Sequence, residues 1–304
     1  MKKDSKHFIP VTVILCRLLL FPSALTAQED LMNILEKNVP DKSGYTVNTF
    51  FSTRILNGHS VELMPAGQLD VRISHRFGTL NQGAYNFFGI DQIYNVRFGL
   101  EYGFHDRLMA GVGRSLYDKT YDAFAKFAIL RQSAGAASAP LTLSAVASVA
   151  IRSLDYIVKV PFSTRTAYSA QILAARRFNP KLSLQVTPSF VHYNLLPAAV
   201  DSYNLFAIGA GGKFNLAKRI SFNAEYYYLI NPEAYQNQTT YNPLTLGFDI
   251  YTGGHVFQLM LTNSTGMIEK AFMGETIERW TKGGIHFGFN ISRVFTLKKP
   301  SGIE

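Results

Sequence analysis

From residue 67 onward the chain alternates between apolar and polar positions. In 91–103 the even positions carry Gln92, Tyr94, Val96, Phe98, Leu100 and Tyr102, while the odd ones include Asp91, Asn95, Arg97 and Glu101. A strand sends successive side chains to opposite faces, so this segment has one oily face and one wet face. The rhythm recurs in 67–78, where Leu69, Val71, Ile73 and Phe77 oppose Asp70, Arg72, Ser74 and Arg76. It recurs again in 182–193, in 219–230, and in 283–294, where Ile285, Phe287, Phe289 and Ile291 oppose His286, Gly288, Asn290 and Ser292. Further strands are expected at 107–116, 120–131, 141–151, 164–177, 203–214, 243–251 and 254–263.

One alternating strand says little, because soluble sheets alternate too. The connections add a second pattern. Short ones at 104–106, 178–181, 215–218 and 252–253 take turns with long ones at 79–90, 152–163, 194–202, 231–242 and 264–282. The 132–140 and 117–119 connections depart from it. Short periplasmic turns and longer outer loops are the asymmetry of outer-membrane barrels. The predicted fold is all-β: an up-and-down antiparallel transmembrane barrel of about twelve strands. It spans 67–296, with 297–304 as a C-terminal tail.

The residues before the barrel follow other patterns. Lys2, Lys3 and Lys6 precede an apolar run from Phe8 to Phe21, and small residues lead to Ala27. That is the layout of a secretory signal peptide over 1–27. Residues 28–66 read as a separate periplasmic segment. Leu31, Ile34 and Leu35 fall at helical spacing within 29–44. Residues 45–66 form a hairpin around Asn57-Gly58, a strong turn signal, and the run after the turn is too short to cross a bilayer. This hairpin is expected near the periplasmic end of the barrel.

Composition agrees with the barrel. Charged residues are 17% of the chain, below the roughly 25% of soluble domains. The 16 Tyr and 23 Phe suit the aromatic girdles at both membrane boundaries. The one cysteine, Cys16, lies in the leader, which leaves the exported part without a thiol. The net charge of +9 drops by three without Lys2, Lys3, Lys6, Arg17 and Asp4, and the other basic residues are scattered along the chain. That scatter argues against a nucleic-acid partner.

Candidate chemistry is sparse. His59, His75, His105, His192, His255 and His286 are dispersed without ligand-type spacing, and no Gly-x-Ser-x-Gly elbow occurs. Gly209 to Lys213 lacks the spacing of a phosphate loop. No metal, cofactor or catalytic residue is expected, although a Ser–His pair assembled across strands would give a lipid hydrolase. The informative residues are the charges of the wet face: Arg72, Arg76, Asp91, Arg97, Glu101, Asp122, Lys126 and Arg165. If Arg76 lies opposite Asp91, the same register sets Asp70 opposite Arg97. Gly111 and Gly113 then leave room for Arg97.

Several short runs resemble a known family. They are His75-Arg76-Phe77-Gly78, Phe87-Phe88-Gly89-Ile90-Asp91, Gly111-Val112-Gly113-Arg114-Ser115, Lys119-Thr120-Tyr121-Asp122, and Arg131-Gln132 after Lys126. Together they resemble the barrel family of Bacteroidetes-type Gram-negative bacteria catalogued as domain of unknown function 5777. The resemblance implies a barrel in the outer membrane and carries no activity with it. The wet face leaves two expectations. One is a path for small polar or anionic solutes, lined by Arg72, Arg76, Arg97, Lys126 and Arg165. The other is a plugged scaffold that presents its loops or docks a periplasmic protein, with loop 264–282, Met267, Ile268 and Trp280 as the contact surface. Outer-membrane lipid and the barrel-assembly machinery are the expected partners in either case.

Overall fold

In the computed structural model the described residues are 45–298 apart from 47, 134–137, 155–160, 195–203 and 231–238. The leader, the 29–44 helix and most of the tail lie outside them. Twelve strands run β1 (Gln68–Thr79), β2 (Ile93–His105), β3 (Leu108–Ser115), β4 (Thr120–Leu130), β5 (Thr142–Arg152), β6 (Thr166–Arg177), β7 (Leu182–Tyr193), β8 (Asn204–Ala217), β9 (Ile220–Leu229), β10 (Leu244–Tyr251), β11 (His255–Thr262) and β12 (His286–Thr296). Each pairs antiparallel with the next, and β12 pairs with β1 to close the barrel. Closure removes the unpaired edges that a bilayer cannot solvate.

The side chains are arranged inside out relative to a soluble protein. Phe98 is 60% exposed, whereas its neighbour Arg97 is 2% exposed. Leu100, Tyr121, Phe206, Ile208 and Tyr228 share the outward face, and Asp70, Glu101, Lys126 and Asn290 are buried in the lumen. This is the predicted alternation, with hydrocarbon as the solvent of the oily face.

Register departs from expectation at β1 and β2. Arg76 lies opposite Asn95 and Asp70 opposite Glu101, a slide of four residues from the charge-matched pairing. Residues Leu80–Gln82 and Ala84–Gly89 coil into 3₁₀ turns, which leaves Asp91 exposed before β2 begins. Two carboxylates face each other instead, and Arg72 makes this tolerable. Its Nη2 donates to Asp70 Oδ2 at 2.8 Å, and its Nε lies 3.9 Å from Glu101 Oε1. Gly99 and Gly113 form the bed of Arg97, since a Cβ on either would strike its guanidinium. Gly111 serves Phe124 rather than Arg97.

Residues 49–64 lie in the lumen and not beside it. The segment enters where Thr46 N–H donates to Gln132 O, and leaves where Gly67 N–H donates to Gly103 O. Both points are at the short-turn, periplasmic mouth. From the other end, the connection between β11 and β12 turns inward and carries the short helix α1 (Glu269–Gly274), every residue of which is buried.

Candidate functional site

The lumen is the candidate site, and its content is the chain itself. Arg54 and His59 bridge across the hairpin, as the turn signal requires. Neither Asn57 nor Gly58 takes the positive φ of a primed turn. The tip is held open from outside: Glu225 Oε1 accepts from Asn57 N–H at 2.6 Å, and Oε2 accepts from Gly58 N–H at 3.1 Å. Buried backbone groups need partners, and here the barrel wall supplies them.

The wall does so nearly all the way round. Lys126 Nζ donates to three hairpin carbonyls, of Thr53, Ser60 and Glu62, at 3.0, 3.0 and 2.8 Å. Gln258 donates to Ile55 O, Asn290 to Leu56 O and Gln185 to His59 O, while Val61 N–H returns a bond to Gln185. Arg76 Nη2 reaches Asn57 Oδ1 at 2.6 Å, and Arg72 Nη2 reaches the hydroxyls of Ser52 and Thr53. Apolar contacts fill the remainder. Phe50, Ile55 and Val61 pack with Met109, Phe124, Val146 and Leu173 of the wall.

The tip approaches the wall so closely that only glycine fits at residue 58. A Cβ there would run into the Tyr227 hydroxyl. Gly58→Leu should therefore unseat the tip, overpacking costing about 1–3 kcal/mol or more. Limited proteolysis in outer-membrane vesicles would register this as new cleavage within 45–66.

The outer stopper meets the plug at a buried ionic contact. Glu269 Oε1 accepts from Arg54 Nη1 at 2.9 Å and lies 3.3 Å from His59 Nε2. Phe272 and Met273 pack on Tyr193, Leu205, Tyr227 and Leu229. The space among Arg54, Asn57, Arg72, Arg76, Arg97, Met267 and Asn290 is about 10 Å³, room for one water at most. The start of loop 264–282 is therefore not the exposed contact surface expected of it. Met267 and Ile268 are buried in the mouth, and the Trp280 indole donates to Leu244 O.

At the outer rim, Glu275 accepts from Arg152 and Lys270, each at 2.7 Å. Burial pushes its carboxyl up, but Lys270 and Arg152 together outweigh that and hold it below the ordinary glutamate value of 4.5. A depressed pKa contributes stability that is full above the unfolded value and is lost as pH falls through the folded one. Protease protection of the stopper should thus persist at pH 4.5 and fail only at lower pH, and Glu275→Gln should remove that acid transition.

Six of the eight expected site residues share this lumen: Arg72, Arg76, Arg97, Glu101, Asp122 and Lys126. Asp91 is outside, as described above. Arg165 sits half-buried in the 3₁₀ turn Ser163–Arg165 at the outer rim, because β6 begins one residue later than the turn that carries it. The residues that sequence reasoning left out are Arg54, Asn57 and His59 of the plug and Lys213, Asp249 and Glu269 around it. Alternation already set Gln185, Glu225 and Asn290 on the inner face, but nothing in the pattern said what they would bond.

The fully buried wall charges balance. Arg72, Arg76, Arg97, Lys126 and Lys213 are matched by Asp70, Glu101, Asp122, Glu225 and Asp249, all buried. The basic lining expected from the sequence is half of a neutral set.

A closed barrel with lipid-facing aromatics and a self-filled polar lumen defines an outer-membrane β-barrel. The chain belongs to the family described as Membrane bound beta barrel domain (DUF5777), whose model matches residues 50–295. The match starts within the plug. No curated protein matches the sequence. Among solved structures it is similar to the KdgM porin, at 8% identity and TM-score 0.43, over 75% of this chain and 99% of that one. It is similar to an outer membrane channel from Pseudomonas putida F1 at 11% and 0.44, over 77% and 98%. Outer membrane phospholipase A from Escherichia coli matches at 11% and 0.41, over 77% and 94%. At such values the likeness carries no functional argument.

Proposed function

We propose that this protein is a non-enzymatic outer-membrane barrel, closed at rest by residues 45–66, which becomes a path for small polar solutes when that plug is drawn toward the periplasm. The carrying observation is the chemistry of the seam between plug and wall. It is dominated by hydrogen bonds to backbone groups of the plug: Lys126, Gln185, Gln258 and Asn290 donate to its carbonyls, and Glu225 and Gln185 accept from its N–H groups. Water can replace such bonds when the plug leaves, whereas a purely apolar seam would collapse on itself. Because the fully buried wall charges balance, the middle of the open path has little preference between anions and cations, in contrast to the anion path expected from the basic residues alone.

The reading against catalysis rests on His192. Its Nδ1 bonds to Asn204 Oδ1 at 2.8 Å on the outward face, the arrangement that orients a general base. Its cross-strand partner is Tyr168, and among the described residues no serine hydroxyl bonds to it. The test is conductance in planar bilayers. The full chain should be silent, and a chain lacking residues 45–62 should conduct with nearly equal anion and cation permeability. Steady conductance of the full chain, or a folded but silent deletion variant, contradicts the proposal.

A further inference from the structure

The basic residues that look scattered in the sequence assemble at one end of the barrel. Arg107 lies in the turn between β2 and β3, Arg131 follows β4, Arg176 is the last residue but one of β6, Lys181 precedes β7, Arg219 precedes β9, and Arg293 lies near the end of β12. Antiparallel up-and-down topology brings every second connection to the same mouth, so turns some forty residues apart become neighbours. Among the described residues of the short turns, the one acid is Asp106. The outer rim differs: Arg152 pairs with Asp118 at 2.9 Å, and Arg152 and Lys270 share Glu275.

Two of these cations face lipid and not the mouth. Arg176 continues the outward row of Ile172 and Ala174, and Arg293 that of Phe289 and Ile291. Arg176 stacks 5.2 Å over Phe178 and Arg293 4.9 Å over Phe295, and both rings are exposed. Exposed aromatic rings at strand ends mark the headgroup level, and a guanidinium anchored on one is held where lipid phosphates lie. An acidic soluble partner docking at the mouth would meet Lys181 and Arg219 but would not need cations on the barrel's flank.

We propose that this collar binds the anionic phospholipid headgroups of the periplasmic leaflet and so fixes the depth and orientation of the barrel. The experiment is native mass spectrometry of the full-length protein released from mixed micelles of equal phosphatidylglycerol and phosphatidylcholine. Phosphatidylglycerol should be retained by about fivefold, the ratio that one basic residue near an anionic surface supplies. Arg176→Glu combined with Arg219→Glu and Arg293→Glu should bring the two lipids to parity, while Lys119→Glu with Lys282→Glu at the outer rim should leave the preference intact. Raising salt on the unaltered protein from about 0.1 M to about 1 M, which shortens screening from about 10 to 3 Å, should erode the preference even if the triple variant does not fold. Equal retention by the unaltered protein, or a preference that survives both the substitutions and the salt, overturns the proposal.

Discussion

Replacing Lys126 by methionine is expected to turn a silent barrel into a conducting one. The methionine keeps most of the stem volume and loses three charge-assisted donations, to the carbonyls of Thr53, Ser60 and Glu62. Each buried acceptor left without a donor costs about 1–3 kcal/mol. The three act on one docking event, so the seated plug loses roughly 3–6 kcal/mol, a factor of about a hundred or more in its occupancy. Single-channel recording should show openings absent from the parent, and thermolysin should cut within 45–66. Lys282→Met, exposed at the outer rim, is the matched control. A Lys126→Met barrel that stays silent and protected would mean that the plug is held by its apolar contacts.

The second large effect concerns the wall. Asp122 takes two bonds from Arg97, from Nε to Oδ1 at 2.9 Å and from Nη2 to Oδ2 at 2.5 Å, and both side chains are buried. Asp122→Ala leaves a guanidinium buried on Gly99 and Gly113 without the carboxylate that Nε and Nη2 both bond. Breaking such a pair costs about 3–5 kcal/mol, whereas removing both partners is often close to neutral. The expected result is a marked drop in the unfolding midpoint of Asp122→Ala, seen by heat-modifiability on gels, and substantial recovery in Arg97→Met/Asp122→Ala. Asp91→Ala should change nothing, because Asp91 is exposed and faces no partner in the barrel wall. Failure of the double variant to recover would show that Asp122 matters through something other than Arg97.

These two residues also mark how far the sequence could be read. Alternation assigned Arg97, Asp122 and Lys126 to the inner face because a two-residue period leaves no other choice once Phe98, Tyr121 and Phe127 face lipid. It could not set the register of β1 on β2. A slide of four residues preserves both faces, so the pattern is blind to it. Charge matching then favoured Asp70 with Arg97, and the real neighbour is Glu101, which becomes acceptable only because Arg72 and the Thr53 hydroxyl come between the acids. The plug was invisible for a related reason. Most of its bonds run from wall side chains to its main chain, and a carbonyl of Ser60 or Leu56 has no signature in the residue type. Its apolar residues, Ile55 and Val61, read the same whether they cover a barrel end or fill a lumen. Met267 and Ile268 read as a surface for a separate partner, whereas they are buried within this chain, because apolar loop residues look alike in sequence whether they face outward or fold into the mouth.

The most direct test of the filled lumen is a cross-link between the hairpin tip and the wall. The Asn57 amide donates to the Thr245 hydroxyl at 2.9 Å, and both groups are buried. In a Cys16→Ser background, Asn57→Cys with Thr245→Cys should form a disulfide in intact outer membranes and resist a membrane-impermeant thiol reagent. No cross-link, together with free labelling of Cys at residue 57, would place the hairpin outside the barrel and contradict the account.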